Sequence, residues 1–191
     1  MRKKRIIIGI SGASGVIFGI RLIEYFHKNP VFETHLAWGT EAKKILSLET
    51  KYDIKEIESL VDYAYAEDFL SAPIASGSFK TYGMVVLPCS MRTLGAVANA
   101  TPYNLLTRAA SVCLKERRKL ILVIREAPLH LGYIENMHKV TLSGGIILPP
   151  VLAFYNHPKN IDDIISYTTC KILDLLEIEH NVCKRWGDGQ R

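Results

Sequence analysis

The sequence predicts an α/β fold: a doubly wound parallel sheet with helices on both faces, formed as a single domain over residues 1–191. Three observations predict it. Short, wholly apolar runs rich in β-branched residues recur along the chain, and such runs suit strands buried on both faces. Segments with helical spacing stand between them. Small, polar and charged residues gather directly after the runs, at the carboxyl ends of the strands, where open parallel sheets bind ligands.

Ile6-Ile-Ile-Gly-Ile10 is the first strand, and a glycine-rich stretch follows it. Val16 to Lys28 places Ile17, Ile20 and Ile23 at helical spacing, with Phe18, Leu22 and Phe26 filling in. Phe32 to Trp38 is a second strand, and Thr40 is expected to cap a short helix ending near Glu49. Asp53 with Glu56 forms a capping box ahead of Ile54, Ile57, Leu60 and Val61. Residues 63–82, with Pro73 and Ser76-Gly77-Ser78, are the least regular stretch. Met84 to Leu87 is a strand followed by Pro88-Cys89-Ser90, and helices are expected over 93–100 and 104–116. Leu120 to Ile124 is a strand ending in Arg125-Glu126, and Tyr133 to Leu142 is helical. Ile146 to Leu148 is the last strand, stopped by Pro149-Pro150, and Asn160 with Asp163 opens a final helix over roughly 161–177. Strand and helix alternate without linker or repeat, which makes the sandwich three-layered and Rossmann- or flavodoxin-like.

With 48% hydrophobic and 23% charged residues the chain has a globular balance, not a disordered one. A net charge of +5 suits an anionic ligand and equally a solvated basic surface. The basic residues are not interleaved with aromatics, which argues against a nucleic-acid surface. Cys89, Cys113, Cys170 and Cys183 form no CxxC pair and no histidine stands at metal-ligand spacing from them, so neither a metal site nor a disulfide is expected and a cytoplasmic setting is. Glycines and serines interrupt the apolar stretch after Arg2 to Arg5, which is too short to span a bilayer, so no membrane segment is expected.

Five groups of residues carry chemistry. Gly9-Ile-Ser-Gly12-Ala13-Ser14-Gly15 lets backbone N–H groups approach an anion at a helix start, though it also reads as a tight structural turn. Its spacing is GxxGxxG, and Trp38-Gly39-Thr40 stands where a ribose-gripping acid would end the second strand, which favours a mononucleotide over a dinucleotide. Ser90, Met91, Arg92 and Thr93 offer hydroxyls and free N–H groups to an anion, or a plain N-cap by Ser90. Arg125-Glu126 puts two charges at a strand end, as ligand groups or as an ion pair. Lys115-Glu116-Arg117-Arg118 closes a helix, where solvated cations suit the dipole. Lys171 lies on a face with Ile164, Tyr167, Thr168 and Leu175, where it snorkels or meets an anion. Tyr155 reads as a core aromatic by default, and Trp186 is unusual for a polar tail.

These motifs together resemble the flavin prenyltransferases of the UbiX type. The resemblance rests on Ser11-Gly-Ala-Ser-Gly15, Leu48-Glu49-Thr50, Ala75-Ser-Gly-Ser78, Pro88-Cys-Ser90 with Thr93, and Leu114-Lys-Glu-Arg-Arg118. It continues through Arg125-Glu-Ala-Pro-Leu129, Glu135-Asn-Met137, Pro149-Pro150 with Phe154-Tyr155, and Arg185-Trp186. The resemblance implies FMN binding by Gly12, Ala13, Ser14, Gly39, Thr40, Ser90 to Thr93 and Arg125. It implies that Lys115, Arg125, Glu126, Tyr155 and Lys171 hold dimethylallyl phosphate. Ser14, Glu49 and Glu126 would handle protons, Lys115 would take phosphate charge, and Trp186 would lie beside the prenyl group. The implied reaction joins the dimethylallyl group to N5 and then C6 of reduced FMN without a metal, for delivery to a UbiD-type decarboxylase. A homododecamer is implied, with the tail from about residue 178 packing near the active site or a neighbouring subunit. The chain departs from the family pattern at Gly39, usually Ser, and at Lys171, usually Arg. A flavin-dependent cysteinyl-peptide decarboxylase is the nearest alternative, but no PxMNxxMW-like segment is present.

Overall fold

The computed structural model describes residues 3–183. Six strands form one sheet: β1 (Lys4–Ile10), β2 (Phe32–Trp38), β3 (Tyr63–Tyr65), β4 (Gly83–Cys89), β5 (Lys119–Ile124) and β6 (Ile146–Ile147). Their spatial order is β3-β2-β1-β4-β5-β6, and every neighbouring pair is parallel. The chain winds outward from β1 to β3, returns to the centre at β4 and winds out the other way. The reversal leaves a crevice between the carboxyl ends of β1 and β4, the place such sheets reserve for ligands.

Seven α-helices cover the sheet: α1 (Val16–His27), α2 (Thr40–Glu49), α3 (Ile54–Ser59), α4 (Met91–Ala98), α5 (Leu105–Lys115), α6 (Leu131–Leu142) and α7 (Ile161–Leu175). The alternation within β1 sorts the core into two layers. Ile6, Ile8 and Ile10 pack with Ile20, Ile23 and Phe26 of α1 and Ile172 and Leu173 of α7. Ile7 turns the other way and joins Leu94 of α4 and Leu106 and Ala109 of α5. Both faces of the strand are therefore apolar, as the unbroken run in the sequence required.

Helix starts follow local chemistry. Asp53 and Glu56 form the predicted capping box of α3, and Asn160 accepts from the Asp163 amide at 2.9 Å to open α7. Ser90 accepts from the Thr93 amide at 3.3 Å and caps α4. Thr40 does not cap α2: it is the first helical residue, the N-cap is Gly39 with no side chain to offer, and the Thr40 hydroxyl donates to Glu67 instead. The irregular stretch contains β3, which pairs with β2 over only three residues and has just one half-buried side chain, so it carries little periodic signal.

The cysteine expectation needs correction, because Cys170 and Cys183 form a disulfide. After α7, Glu177 adopts a left-handed backbone and the Ile178 amide returns to the Leu173 carbonyl, so the chain doubles back along the helix. Spacing alone could not show that this reversal brings position 183 beside Cys170. Cys89 and Cys113 are buried free thiols.

Candidate active site

Backbone bonds bring the loops after four strands together at the crevice. The Gly39 amide donates to the Ile10 carbonyl at 3.1 Å, the Ser11 amide to the Pro88 carbonyl at 3.2 Å, and the Arg125 amide to the Cys89 carbonyl at 3.1 Å. Ser11 is the central fastener: its hydroxyl donates to the Pro88 carbonyl and accepts from the Ser90 amide, each at 2.8 Å. It is buried and fully occupied, which makes it structural within the site.

A cavity of about 420 Å³ opens over this floor. Gly12, Gly39, Thr40, Ser90, Arg92 and Thr93 line it, all named in advance as cofactor residues. Gly12 is needed for space, since a Cβ there would stand 2.7 Å from the Glu41 Cβ. The Arg92 guanidinium lies over the Tyr103 ring, 4.2 Å from its centroid, so its charge is held at the wall by a cation–π contact. Met91 is different: its side chain is core, leaving only backbone for a ligand.

Sequence reasoning missed the opposite wall, made by Glu67, Asp68, Tyr103 and Asn104. Glu67 accepts from the Thr40 hydroxyl at 2.6 Å and from the Asn104 side-chain amide at 3.3 Å, while its carbonyl accepts from the Leu105 amide at 2.7 Å. It thus ties the start of α2 to the start of α5. The Thr40 hydroxyl bond, joined by its backbone bond, Asn104 and the charge of Arg92, holds the Glu67 carboxyl below its ordinary pKa against the opposing effect of burial. No periodicity marks these residues, because they sit on short connections around β3 and α5.

Glu49 is at the end of α2, yet its Oε2 reaches the start of α1, accepting from the Gly15 amide at 2.8 Å and the Val16 amide at 3.3 Å. Gly15, at φ +98°, is the α1 cap residue and has no side chain to do this itself. A carboxylate there meets the positive helix end. Ser14 and Ala13 are half-buried in the same turn. Glu49 also borders a second, more open cavity of about 680 Å³ with Ile17, Arg21, Leu48 and Ile165.

The remaining residues are not on the cavity wall. Arg125 and Glu126 are exposed at the end of β5, and Glu126 accepts from the Ala127 amide at 3.1 Å. Among the described residues no carboxylate pairs with Arg125. Lys115 is at the far end of α5, a helix about 16 Å long that starts at the cavity. There it pairs with Glu116 beside Gly77. Four residues later β5 begins, paired to the first residue of β4, so Lys115 is at the amino-terminal end of the sheet. Tyr155 and Tyr167 join hydroxyls at 2.9 Å, and Lys171 follows Tyr167 by one turn of α7. Trp186 lies outside the described residues. Cys170, Asp174 and His180 gather at the end of α7, but the Cys170 sulfur is bonded to Cys183.

The cavity fits a flavin mononucleotide in its chemistry: glycine-lined backbone at two loops, hydroxyls at Thr40, Ser90 and Thr93, and one cation on the wall. Residues 1–173 match the Flavoprotein family. The chain is 46% identical over 188 residues to the flavin prenyltransferase UbiX of Thauera aromatica, covering 98% of this chain and 96% of that one. It is 45% identical over 186 residues to the flavin prenyltransferase LpdB of Lactiplantibacillus plantarum, covering 97% of this chain and 100% of that one. AnUbiX in complex with FMN and dimethylallyl pyrophosphate superposes with a TM-score of 0.94 at 38% identity, over 97% of this chain and 98% of that one. A dodecameric FMN-dependent UbiX-like decarboxylase from Escherichia coli O157:H7 superposes at 0.93 with 41% identity, over 95% of this chain and 98% of that one. A cysteine decarboxylase, TvaF, shares the fold at 14% identity and a TM-score of 0.65. With 45–46% identity to curated relatives along nearly its whole length and a cavity at the sheet's switch point, the chain belongs to the UbiX-type flavin prenyltransferases.

Proposed function

We propose that the chain transfers dimethylallyl from dimethylallyl phosphate to reduced FMN, forming bonds at N5 and C6, and passes the prenylated flavin to a UbiD-type decarboxylase. The observation that carries the reading is the cavity at the carboxyl ends of β1 and β4, lined by Gly12, Gly39, Thr40, Ser90, Arg92 and Thr93. FMN is here a substrate, the prenyl acceptor. Bound flavin supplies the nucleophilic nitrogen and ring carbon; the chain supplies position, charge and proton transfer.

In the first step the ester C–O bond breaks, its electron pair leaves with phosphate, a C–N bond forms at N5, and the N5 proton departs to the released phosphate or solvent. Charge on the departing phosphate must be met, and fixed cations in a water-poor site do this well. Arg125 is in place at the end of β5 without a carboxylate partner among the described residues. Lys115 and Lys171 add charge, and Tyr155 adds a hydroxyl. Because Lys115 is at the opposite end of its own sheet, its contribution comes from a neighbouring copy, and a homododecamer with active sites at subunit junctions supplies one. Trp186 offers a π face to the allylic cation, worth about 0.5–2 kcal/mol.

In the second step the dimethylallyl double bond takes a proton at its CH carbon, its tertiary carbon bonds to C6, and the C6 proton leaves, so the fourth ring closes with no net change in protons. Glu49 or Glu126, with Ser14, relays these protons. The Cys170–Cys183 disulfide removes the cysteine argument for the expected cytoplasmic setting. No helix among the described residues is long and apolar enough to cross a membrane. The reading is tested by anaerobic phosphate release: it is expected to require protein, reduced FMN and dimethylallyl phosphate together. Release without flavin would make the chain a phosphatase and overturn the transfer.

A further inference from the structure

Four helices begin at the site, and the α5 start is capped by Asn104. The α1 start is held by Glu49, and the α4 start by its own cap, Ser90. The α2 start has glycine as its cap residue and no side-chain cap of its own. Its uncapped N–H groups face the cavity where Gly39 leaves the backbone open, the arrangement in which a helix start takes an anion. An anion is already there. The Glu67 carboxylate takes the Thr40 hydroxyl at 2.6 Å, and its other oxygen is 3.0 Å from where a Cβ on residue 39 would stand. Glu67 is half-buried and remains ionised, held by Thr40 and Asn104.

We infer that Glu67 is a built-in competitor for the flavin's phosphate: it occupies the anion seat at the start of α2, so binding of a phosphorylated flavin must displace it, and it sets how loosely this enzyme holds its flavin. The inference rests on the flavin reading above. It gives Gly39 a purpose, since a Cβ there would stand 3.0 Å from the carboxylate and press on it. It also suits the chemistry of a flavin-modifying enzyme, whose anionic product has to leave. The same donors serve in turn: the Thr40 hydroxyl and amide hold Glu67 in the free protein and would hold the phosphate in the complex. Glu67 is a positioning and affinity-setting residue with no part in bond making.

The test compares FMN with riboflavin, which lacks the phosphate, on the full chain by fluorescence titration. Glu67→Gln keeps the size and an acceptor for Thr40 but removes the charge. It is expected to tighten FMN at least about fivefold and to leave riboflavin within about twofold, because only the phosphate meets the charge. The gain is expected to shrink as salt is raised. Glu67→Ala serves as the second variant and is expected to shift FMN in the same direction; thermal unfolding checks that both are folded. Equal weakening of FMN and riboflavin would overturn the inference, since Glu67 would then be accepting a hydroxyl from the polyol chain. No change in either would overturn it too. A wild-type chain that binds neither flavin would instead overturn the flavin reading itself.

Discussion

Glu49→Gln separates the capping contact of this carboxylate from the proton transfer proposed for it. Oε2 holds the Gly15 and Val16 amides at 2.8 and 3.3 Å, so Glu49 caps α1 in place of a glycine that cannot. The amide keeps an acceptor of the same shape and loses the charge, which at an exposed helix end is worth about 0.3–1 kcal/mol. Glu49→Ala loses the acceptor as well, about 1 kcal/mol for a cap. In a domain of this size, 1 kcal/mol lowers Tm by about 2–4 °C. Both variants are therefore expected to fold, to melt within a few degrees of wild type and to bind FMN. If Glu49 takes the C6 proton, Glu49→Gln is expected to accumulate flavin attached at one position only, read by mass and absorbance after anaerobic turnover. Wild-type yield of the doubly attached flavin would remove Glu49 from the proton path. A Tm loss beyond about 10 °C would show that the cap had been weighed wrongly.

Other consequences follow from the same geometry. If Lys115 of one copy completes the site of another, Lys115→Ala and Glu126→Gln should each be nearly inactive alone and recover activity when co-assembled; no recovery would put both residues in one chain's site. Cys170 and Cys183 are 13 residues apart, so Cys183→Ser is expected to cost about 3 kcal/mol by chain-entropy reasoning, and wild type unfolded in excess dithiol should match it. Equal stability in all three would show that the bridge does not restrain the unfolded chain. His35 is buried between β1 and β3, bonded to Glu33 and Tyr65, with Arg5 and Asp62 near; burial is the main cause that lowers its pKa. A depressed histidine favours the unfolded state once protons bind there, so its share of stability is full above its ordinary value near 6.5 and is lost as pH falls below it. His35→Gln is expected to flatten that acid limb in denaturant titrations, and an unchanged slope would contradict the assignment.

The fold was legible where one physical cause dominated. Ile6 to Ile10 could only be a strand covered on both faces, and the β2 boundaries Phe32–Trp38 agree residue for residue. Asp53 with Glu56 and Asn160 with Asp163 marked helix starts through pairs of local hydrogen bonds. The loops after β1, β2 and β4 that line the cavity were legible as a candidate site because ligand chemistry collects at strand ends. The β3 wall was not: Glu67 matters through contacts with Thr40 and Asn104, 27 and 37 residues away, and nothing local encodes them. Thr40 misled by one residue, since the helix begins at Thr40 itself with Gly39 as its cap residue, and the Thr40 hydroxyl donates across the cavity to Glu67. Lys115 shows a third limit. Motif resemblance put it with the phosphate, but the course of α5 carries it to the other end of its own sheet.

The central claim is most directly tested by mass spectrometry of the flavin extracted after anaerobic incubation of the purified chain with reduced FMN and dimethylallyl phosphate. The account predicts a flavin heavier by one dimethylallyl unit, absent when protein is omitted and lost in Lys115→Ala. Recovery of unmodified FMN alone, with both the monophosphate and the pyrophosphate as donors, would contradict it and leave the cavity as a flavin carrier.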